Sequence, residues 1–292
     1  MTDEVFTSSP GVQPVSVHVL RAVAITALII LATALPFLPG SHDPLAMTLS
    51  TMARAFGFVA LLLVPVGIFW TASSLRHPSA ARDYTCAGAT LVVWTLISGL
   101  LSFAAVAASG WSLGLLWLAL SADVVLRIKR RIALIKEEPP VSPALPALYL
   151  VAVPLTVVLL QQAVVKRGVE FSRDHAIRHA VPMIAAIERH RAERSRYPVS
   201  LLSVWRDYPT GIVGIDRFHY EASGDAYNLV FENPAVAFGT REFVVYNPLD
   251  EQVATSHLTD ILEFTPEHLE RTRGYYAVRP AAQPHWKYFW FD

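Results

Sequence analysis

The sequence predicts a two-part molecule: an α-helical membrane bundle of about five transmembrane helices, followed by an α+β domain with a long helix on an antiparallel sheet. Three observations predict it. Only 16% of the 292 residues are charged while 53% are hydrophobic, against about 25% charged in an ordinary soluble domain. The deficit is local, because residues 1–165 hold 16 of the 48 charged side chains and residues 166–292 hold the other 32. Finally, the hydrophobic period changes from long apolar runs to helical spacing and then to strict alternation along the second part. The expected division is a cytoplasmic tail over 1–16, a transmembrane domain over 17–165 and an extracytoplasmic soluble domain over 166–292.

A helix needs about 20 apolar residues to cross the hydrocarbon, and five stretches approach or meet that length: Val19 to Leu38, Ala55 to Ala72, Ala87 to Ala108, Trp111 to Leu126 and Ala144 to Val165. The fourth is the shortest, because Asp123 and Arg127 crowd its end. Bases of short loops mark the cytoplasmic side. Arg76 and Arg82 follow the second stretch, and Arg127, Lys129, Arg130, Arg131 and Lys136 follow the fourth. Five crossings then place the N-terminus inside and residues 166–292 outside; without the fourth, the domain would lie in the cytoplasm. Ala32-Thr33-Ala34 has the form cut by a signal peptidase, but the acidic Asp3 and Glu4 before an over-long apolar run argue for a retained span.

Charges inside a bilayer are expensive and are functional candidates by default. Arg21 and Asp123 are the two that qualify, each near the cytoplasmic end of its span. Gly110-Trp111-Ser112-Leu113-Gly114 has the form of a serine nucleophile elbow, which requires a strand-to-helix turn. Here it joins two apolar stretches, so a tight helix–helix turn is expected, with Gly110 and Gly114 letting the backbones approach.

In the second part, Ile177, Ala180, Val181, Ile184 and Ile187 recur at helical spacing over residues 170–196, with Pro182 expected to bend the helix and Pro198 to end it. Only Gly168 separates it from the fifth span, so the two can form one rod. Phe218, Tyr220, Tyr227, Leu229 and Phe231 alternate around Ser223-Gly224-Asp225, the pattern of a hairpin. Further strands are expected over Glu242–Asn247, Gly274–Val278 and His285–Phe291, with a short helix over Pro266–Arg271 capped by Thr265.

The run Ala186-Ile187-Glu188-Arg189-His190, the step Ser195-Arg196-Tyr197-Pro198-Val199-Ser200-Leu201, and Tyr220 with Tyr227-Asn228-Leu229 resemble the start of a type II secretion pseudopilin over residues 146–232. The resemblance implies a pilin-like domain, a bacterial inner-membrane location and a role among secretion or envelope proteins. The chain departs from that family by reading Glu137-Glu138-Pro139-Pro140-Val141-Ser142-Pro143 where a prepilin-peptidase site would stand. It also lacks the family's Asp-Pro-Trp-Gly step and calcium loop. A processed, polymerising subunit is therefore not expected.

Site chemistry is sparse. His175 and His179 stand one helical turn apart without a third ligand at diagnostic spacing, Cys86 is the sole cysteine, and no glycine-rich phosphate loop occurs. No catalytic residue, metal or cofactor is expected. Equal numbers of acidic and basic residues exclude a generally nucleic-acid-seeking protein. The candidate partner-binding residues are Arg189, Arg191 and Arg194 on the helix and Trp286, Tyr288 and Trp290 on the last strand, where aromatics on both faces fit either a buried strand or an edge strand that pairs with a partner. Beyond the lipid bilayer, the expected ligand is a protein bound by the outer domain. The competing reading is a small-molecule or lipid transporter, or a membrane enzyme, with a regulatory outer domain.

Overall fold

In the computed structural model, residues 15–76, 79–109, 111–137, 144–205, 209–234, 240–252 and 274–291 are described. The chain forms two compact units, one of Met1–Leu31 with Ala55–Leu160 and one of Ala32–Arg54 with Gln161–Asp292. Among the described residues, four helical segments are long and apolar enough to cross a membrane: Val19–Phe37, Pro44–Arg76, Ala81–Val106 and Ala147–Arg194.

Helix α1 spans Val15–Ala34 and ends in a short 3-10 turn at Pro36. Helix α2, Pro44–Ala60, starts eleven residues before the expected second span. Proline at its first position and the Asp43 carboxylate, which accepts the Leu45 N–H at 2.9 Å, make that start. The expected loop through Arg54 is therefore helical from Pro44. A 3-10 turn over Leu61–Leu63 joins α2 to α3, Val64–Arg76, where Pro65 lacks the N–H that regular helix would need. Helices α4, Ala80–Ser109, and α5, Trp111–Glu137, pack on each other. At Gly114 an added Cβ would run into the Val106 side chain and stand 3.2 Å from the Ser102 carbonyl, which is why glycine is needed at this contact. The bases expected in a loop after the fourth span ride instead on the last turns of α5. The core of this unit holds Leu63, Ile97 and Leu101 around Phe56, Trp94 and Trp117, and a second cluster holds Trp70, Cys86, Ala87 and Ala147.

Helix α6 is one rod of 51 residues, Ala144–Arg194, passing through Gly168 and Pro182 without interruption; at 1.5 Å per residue it is about 76 Å long. Ser195 closes it in the left-handed conformation, with its N–H donating to the Arg191 carbonyl at 2.8 Å. The buried stripe is Ala176, Ile177, Ala180, Met183 and Ile187. Val181, expected on that stripe, is 59% exposed, because it lies about 100° around the helix from Ala180.

The stripe packs on five antiparallel strands: β1 His219–Ser223, β2 Ala226–Asn233, β3 Arg241–Tyr246, β4 Tyr275–Pro280 and β5 Trp286–Phe291, in the spatial order β1-β2-β3-β5-β4. Gly224, at φ +55°, turns the β1–β2 hairpin. Tyr227, Leu229, Phe231, Val244 and Trp286 face α6, while Val230, Phe243, Val245, Phe289 and Phe291 form a second buried cluster. The expected helix over Pro266–Arg271 lies outside the described residues.

The connection between α1 and α2 belongs to the same unit as the sheet. Its backbone is clasped to residues 211–214. Gly40 N–H donates to Gly211 O at 2.9 Å, Val213 N–H to Leu38 O at 2.9 Å, Gly214 N–H to Pro36 O at 2.8 Å, and Asp43 N–H to Val213 O at 3.0 Å. Phe37 packs with Val165 and Val169 of α6. Below it, buried Gln161 donates through Nε2 to Thr33 Oγ1 at 3.1 Å and to the Ala53 carbonyl at 2.8 Å, and Ser50 donates to the Thr33 carbonyl at 2.8 Å. Gly168 makes room for this seat, since a Cβ there would stand 2.6 Å from the Phe37 ring. Gly88, by contrast, faces open space. Gly168→Ala therefore lowers the thermal midpoint of the full chain in detergent by an amount worth about 1–3 kcal/mol, whereas Gly88→Ala leaves it unchanged or raises it. Equal effects of the two substitutions would contradict the seat.

Candidate partner interface

The strongest electrostatic feature of the second unit is internal. On three neighbouring strands Asn233, Glu242 and Trp290 stand in register across the sheet. Alternation puts Glu242 on the face of Val244 and Tyr246, toward α6. Arg173 reaches it from α6 through two parallel bonds, Nε to Oε1 at 2.8 Å and Nη2 to Oε2 at 3.0 Å. Asn233 Nδ2 adds a donor to Oε1 at 3.0 Å and Trp290 Nε1 one to Oε2 at 2.6 Å. Both charges are buried, with side-chain exposures of 10% for Arg173 and 2% for Glu242. Burial opposes the Arg173 charge, but the Glu242 contacts outweigh it and hold the pKa above the ordinary value. The Tyr288 ring lies under the guanidinium at 3.9 Å, and Ser172 Oγ donates to Asn233 Oδ1 at 2.8 Å.

This arrangement corrects part of the sequence reading. Strand β5 lies between β3 and β4, so the edge-strand alternative is excluded and its backbone groups are paired within the sheet. Trp286 is 4% exposed and packs against Phe231 and Tyr246. Tyr288 and Trp290 serve Arg173 and Glu242, and the Arg279 guanidinium covers the Trp290 ring at 4.7 Å. Trp286 is buried, and Tyr288 and Trp290 are half-buried, engaged by the helix and by neighbouring strands.

The residues that carry the pseudopilin resemblance meet at the far end of α6. The Tyr197 ring stands edge-on to Tyr227 at 4.9 Å, and Tyr220 lies 5.5 Å from Tyr227. The Tyr220 hydroxyl donates to the Pro198 carbonyl at 2.8 Å, tying the hairpin to the loop that closes the helix. Arg191 is drawn inward, with its guanidinium 4.5 Å from the Tyr197 ring centre and Nη1 donating to the Tyr197 hydroxyl. Arg189, Arg194 and Arg196 stay exposed. Beside them the closing loop buries Leu201 and turns out Val199, 89% exposed, and Leu202, 64% exposed. Sequence reasoning passed over these two apolar side chains, although the helix stop at Pro198 was the signal that a tight loop had to expose some of its neighbours. The site is a basic end of a helix flanked by two solvent-facing aliphatic groups, about 43 Å along α6 from Val165. Such a patch offers positive charge and apolar contact area side by side.

Other candidates resolve differently. Arg21 is exposed on α1. Asp123 is ion-paired on its own helix with Arg127 at 2.7 Å, both well exposed, the ordinary pairing at one-turn spacing. Among the described residues, Asp83 is a buried carboxylate: 5% exposed in the first turn of α4, it accepts from Trp70 Nε1 at 2.8 Å and Ser74 Oγ at 3.3 Å. His175 and His179 stack with centroids 6.4 Å apart. Burial and the nearby Arg178 lower the His175 pKa, and among the described residues no group of three or more His, Cys, Asp or Glu could hold a metal ion. Helix α4 ends at Ser109 and α5 opens at Trp111, so Trp111–Gly114 lie in a helix and not on the strand-to-helix turn that a nucleophile elbow requires.

Two predictions follow from the buried charges. Arg173→Met or Glu242→Leu alone strands a buried charge and costs about 3–5 kcal/mol, while Arg173→Met with Glu242→Leu regains much of the loss; denaturation of the four proteins measures the coupling, and additive losses would refute it. On the opposite face of the sheet, Glu221 stands beside Asn228 in register, with Oε2 buried and unpartnered. Burial pushes its pKa up to about 7. The protonated form is the one the fold prefers, so its contribution to stability is full below about pH 4 and is lost as pH rises through 7. Glu221→Gln should flatten the melting profile over that window and stabilise the chain by about 2 kcal/mol at pH 8; an unchanged profile would show that the carboxyl is solvated.

The chain matches no protein-family model, no curated protein and no solved structure.

Proposed function

We propose that the chain is a non-enzymatic scaffold of a bacterial inner membrane, which presents a pilin-like domain on the extracytoplasmic side to protein partners of a secretion or envelope assembly. The observation that carries the proposal is the clasp. Residues 36–43 and 211–214 are bonded backbone to backbone, so the α1–α2 connection and the sheet share one side of the membrane. Between them the chain runs through α2 with α3, then α4, α5 and α6. An even number of crossings is needed to return to the same side, and α5 supplies the fourth. With α1 the total is five. Arg76, Arg82 and the basic end of α5 then lie on the cytoplasmic face and the domain lies outside.

The surface assigned to the protein partner is the basic, aliphatic end of α6: Arg189, Arg194, Arg196, Val199 and Leu202.

The test is made in native membranes. In a Cys86→Ala background, Val199→Cys reacts with a membrane-impermeant maleimide in cells whose outer barrier is permeabilised, and Ser79→Cys reacts only after the inner membrane is opened. Cross-linking then recovers a defined protein with the full chain and loses it with Arg194→Glu/Val199→Asp, two exposed positions whose change leaves the melting midpoint in place. Labelling of both cysteines from one side would overturn the topology. A full chain that cross-links to nothing, or whose partner is indifferent to that double change, would overturn the scaffold.

A further inference from the structure

Helices α3 and α4 leave an apolar groove of about 290 Å³ between them, lined by Pro65, Val66, Phe69, Thr85, Cys86 and Ala89. Phe69 is 63% exposed and Pro65, Thr85 and Ala89 are open as well, so the groove faces outward. Its single hydroxyl is turned away from polar duty there, since Thr85 Oγ1 donates to the Ala81 carbonyl of its own helix at 2.9 Å. In a membrane this surface meets hydrocarbon. One end of the groove is different. Arg82 lies one helical turn from Thr85 and Cys86, Arg76 two turns from Phe69, and Ala89 is about 10 Å along α4 from Arg82. Arg82 Nη1 donates to the Ser73 carbonyl at 3.3 Å, which places the guanidinium at the α3 end. Asp83, next to Arg82 in the chain, is buried and enclosed by the donors of Trp70 and Ser74. Arg76 and Arg82 thus bring two cationic side chains to this end of the groove.

We propose that this groove seats one acyl chain of an anionic phospholipid, with its phosphate at Arg76 and Arg82. The argument is complementarity at both ends: a wholly apolar trough at chain depth, and basic side chains where the headgroup sits. A zwitterionic lipid satisfies the first and gains little from the second. The inference rests on α3 and α4 crossing the membrane and is independent of what the outer domain binds. A lipid result of either sign leaves the partner experiment untouched, and a chain that stays in solution without detergent would refute the crossing itself.

The probe is the full chain in detergent with equal amounts of dioleoyl-phosphatidylglycerol and dioleoyl-phosphatidylcholine, read by native mass spectrometry. Phosphatidylglycerol is expected to be retained about tenfold or more over phosphatidylcholine. Arg76→Gln/Arg82→Gln brings the two lipids level. Ala89→Phe, which fills the trough at an exposed position, lowers phosphatidylglycerol retention with both arginines intact. Arg76→Gln alone, at an exposed site, gives a smaller loss of the same kind should the double variant fail to fold. Equal retention of the two lipids by the unaltered chain would overturn the proposal. So would an arginine effect with no Ala89→Phe effect, which would locate a headgroup without a seated chain. A lipid-free dimer abolished by Ala89→Phe would assign the groove to a second copy instead.

Discussion

The bidentate pair of Arg173 and Glu242 sets how the second unit is assembled. Neither charge could stay in a water-poor interior alone, because the uncompensated partner would cost several kcal/mol. Each constrains the other, and Asn233 and Trp290 complete the carboxylate's acceptors. A hydrophobic stripe tolerates sliding and rotation, since apolar contacts are non-directional. A two-point ion pair does not. The pair thus pins the register of α6 against the sheet, and the stripe from Ala176 to Ile187 supplies the bulk of the burial around it. The same bond explains the terminal aromatics. Tyr288 and Trp290 are on β5 because Arg173 needs a ring beneath it and Glu242 needs a donor beside it.

The clasp works by a different physics. Its bonds are backbone to backbone, so they depend on close approach more than on side-chain identity. Close approach is provided by Gly168 under the Phe37 ring and by Gly214 against Pro36. Buried Gln161 extends the attachment by tying α6 to the end of α1 and to α2. In hydrocarbon or at its border, an amide that meets an internal acceptor is worth keeping, because no water competes for it. The first unit relies on the same economy of space: Gly114 admits Val106, Gly67 admits Ala147 and Val151, and Asp83 is satisfied by an indole and a hydroxyl. The exposed groups then stand apart from these commitments. Arg189, Arg194, Arg196, Val199 and Leu202 at the end of α6 stay exposed, and the groove between α3 and α4 is left open.

Much of this architecture is legible in the sequence, because the membrane and the sheet impose periods that single residues obey locally. The apolar runs, the long helix, the Gly224 hairpin and the places of β3, β4 and β5 follow from length, alternation and turn chemistry. Even the inward parity of Glu242 is readable beside Val244 and Tyr246. Its partner is not: Arg173 sits among a run of arginines and looks like one more solvated charge, and only the 69-residue separation closed by folding singles it out. Val181 is exposed for a local reason, since it lies about 100° around the helix from Ala180 and so falls beside the buried stripe. Whether β5 was an edge or interior strand depended on β4 lying beyond it, a matter of strand order and not of composition.

By itself, then, the sequence determined that the chain divides into an apolar half and a polar half, that a long helix runs out of the apolar half, and that a hairpin and further strands follow it, because these follow from contacts within a few turns of the chain. Only the tertiary structure decided the pairing of Arg173 with Glu242, the interior place of β5, the burial of Asp83, and the attachment of residues 36–43 to residues 211–214. Each of these joins groups far apart in the chain, and the energy that selects such a pairing belongs to the folded geometry and has no counterpart in either segment alone.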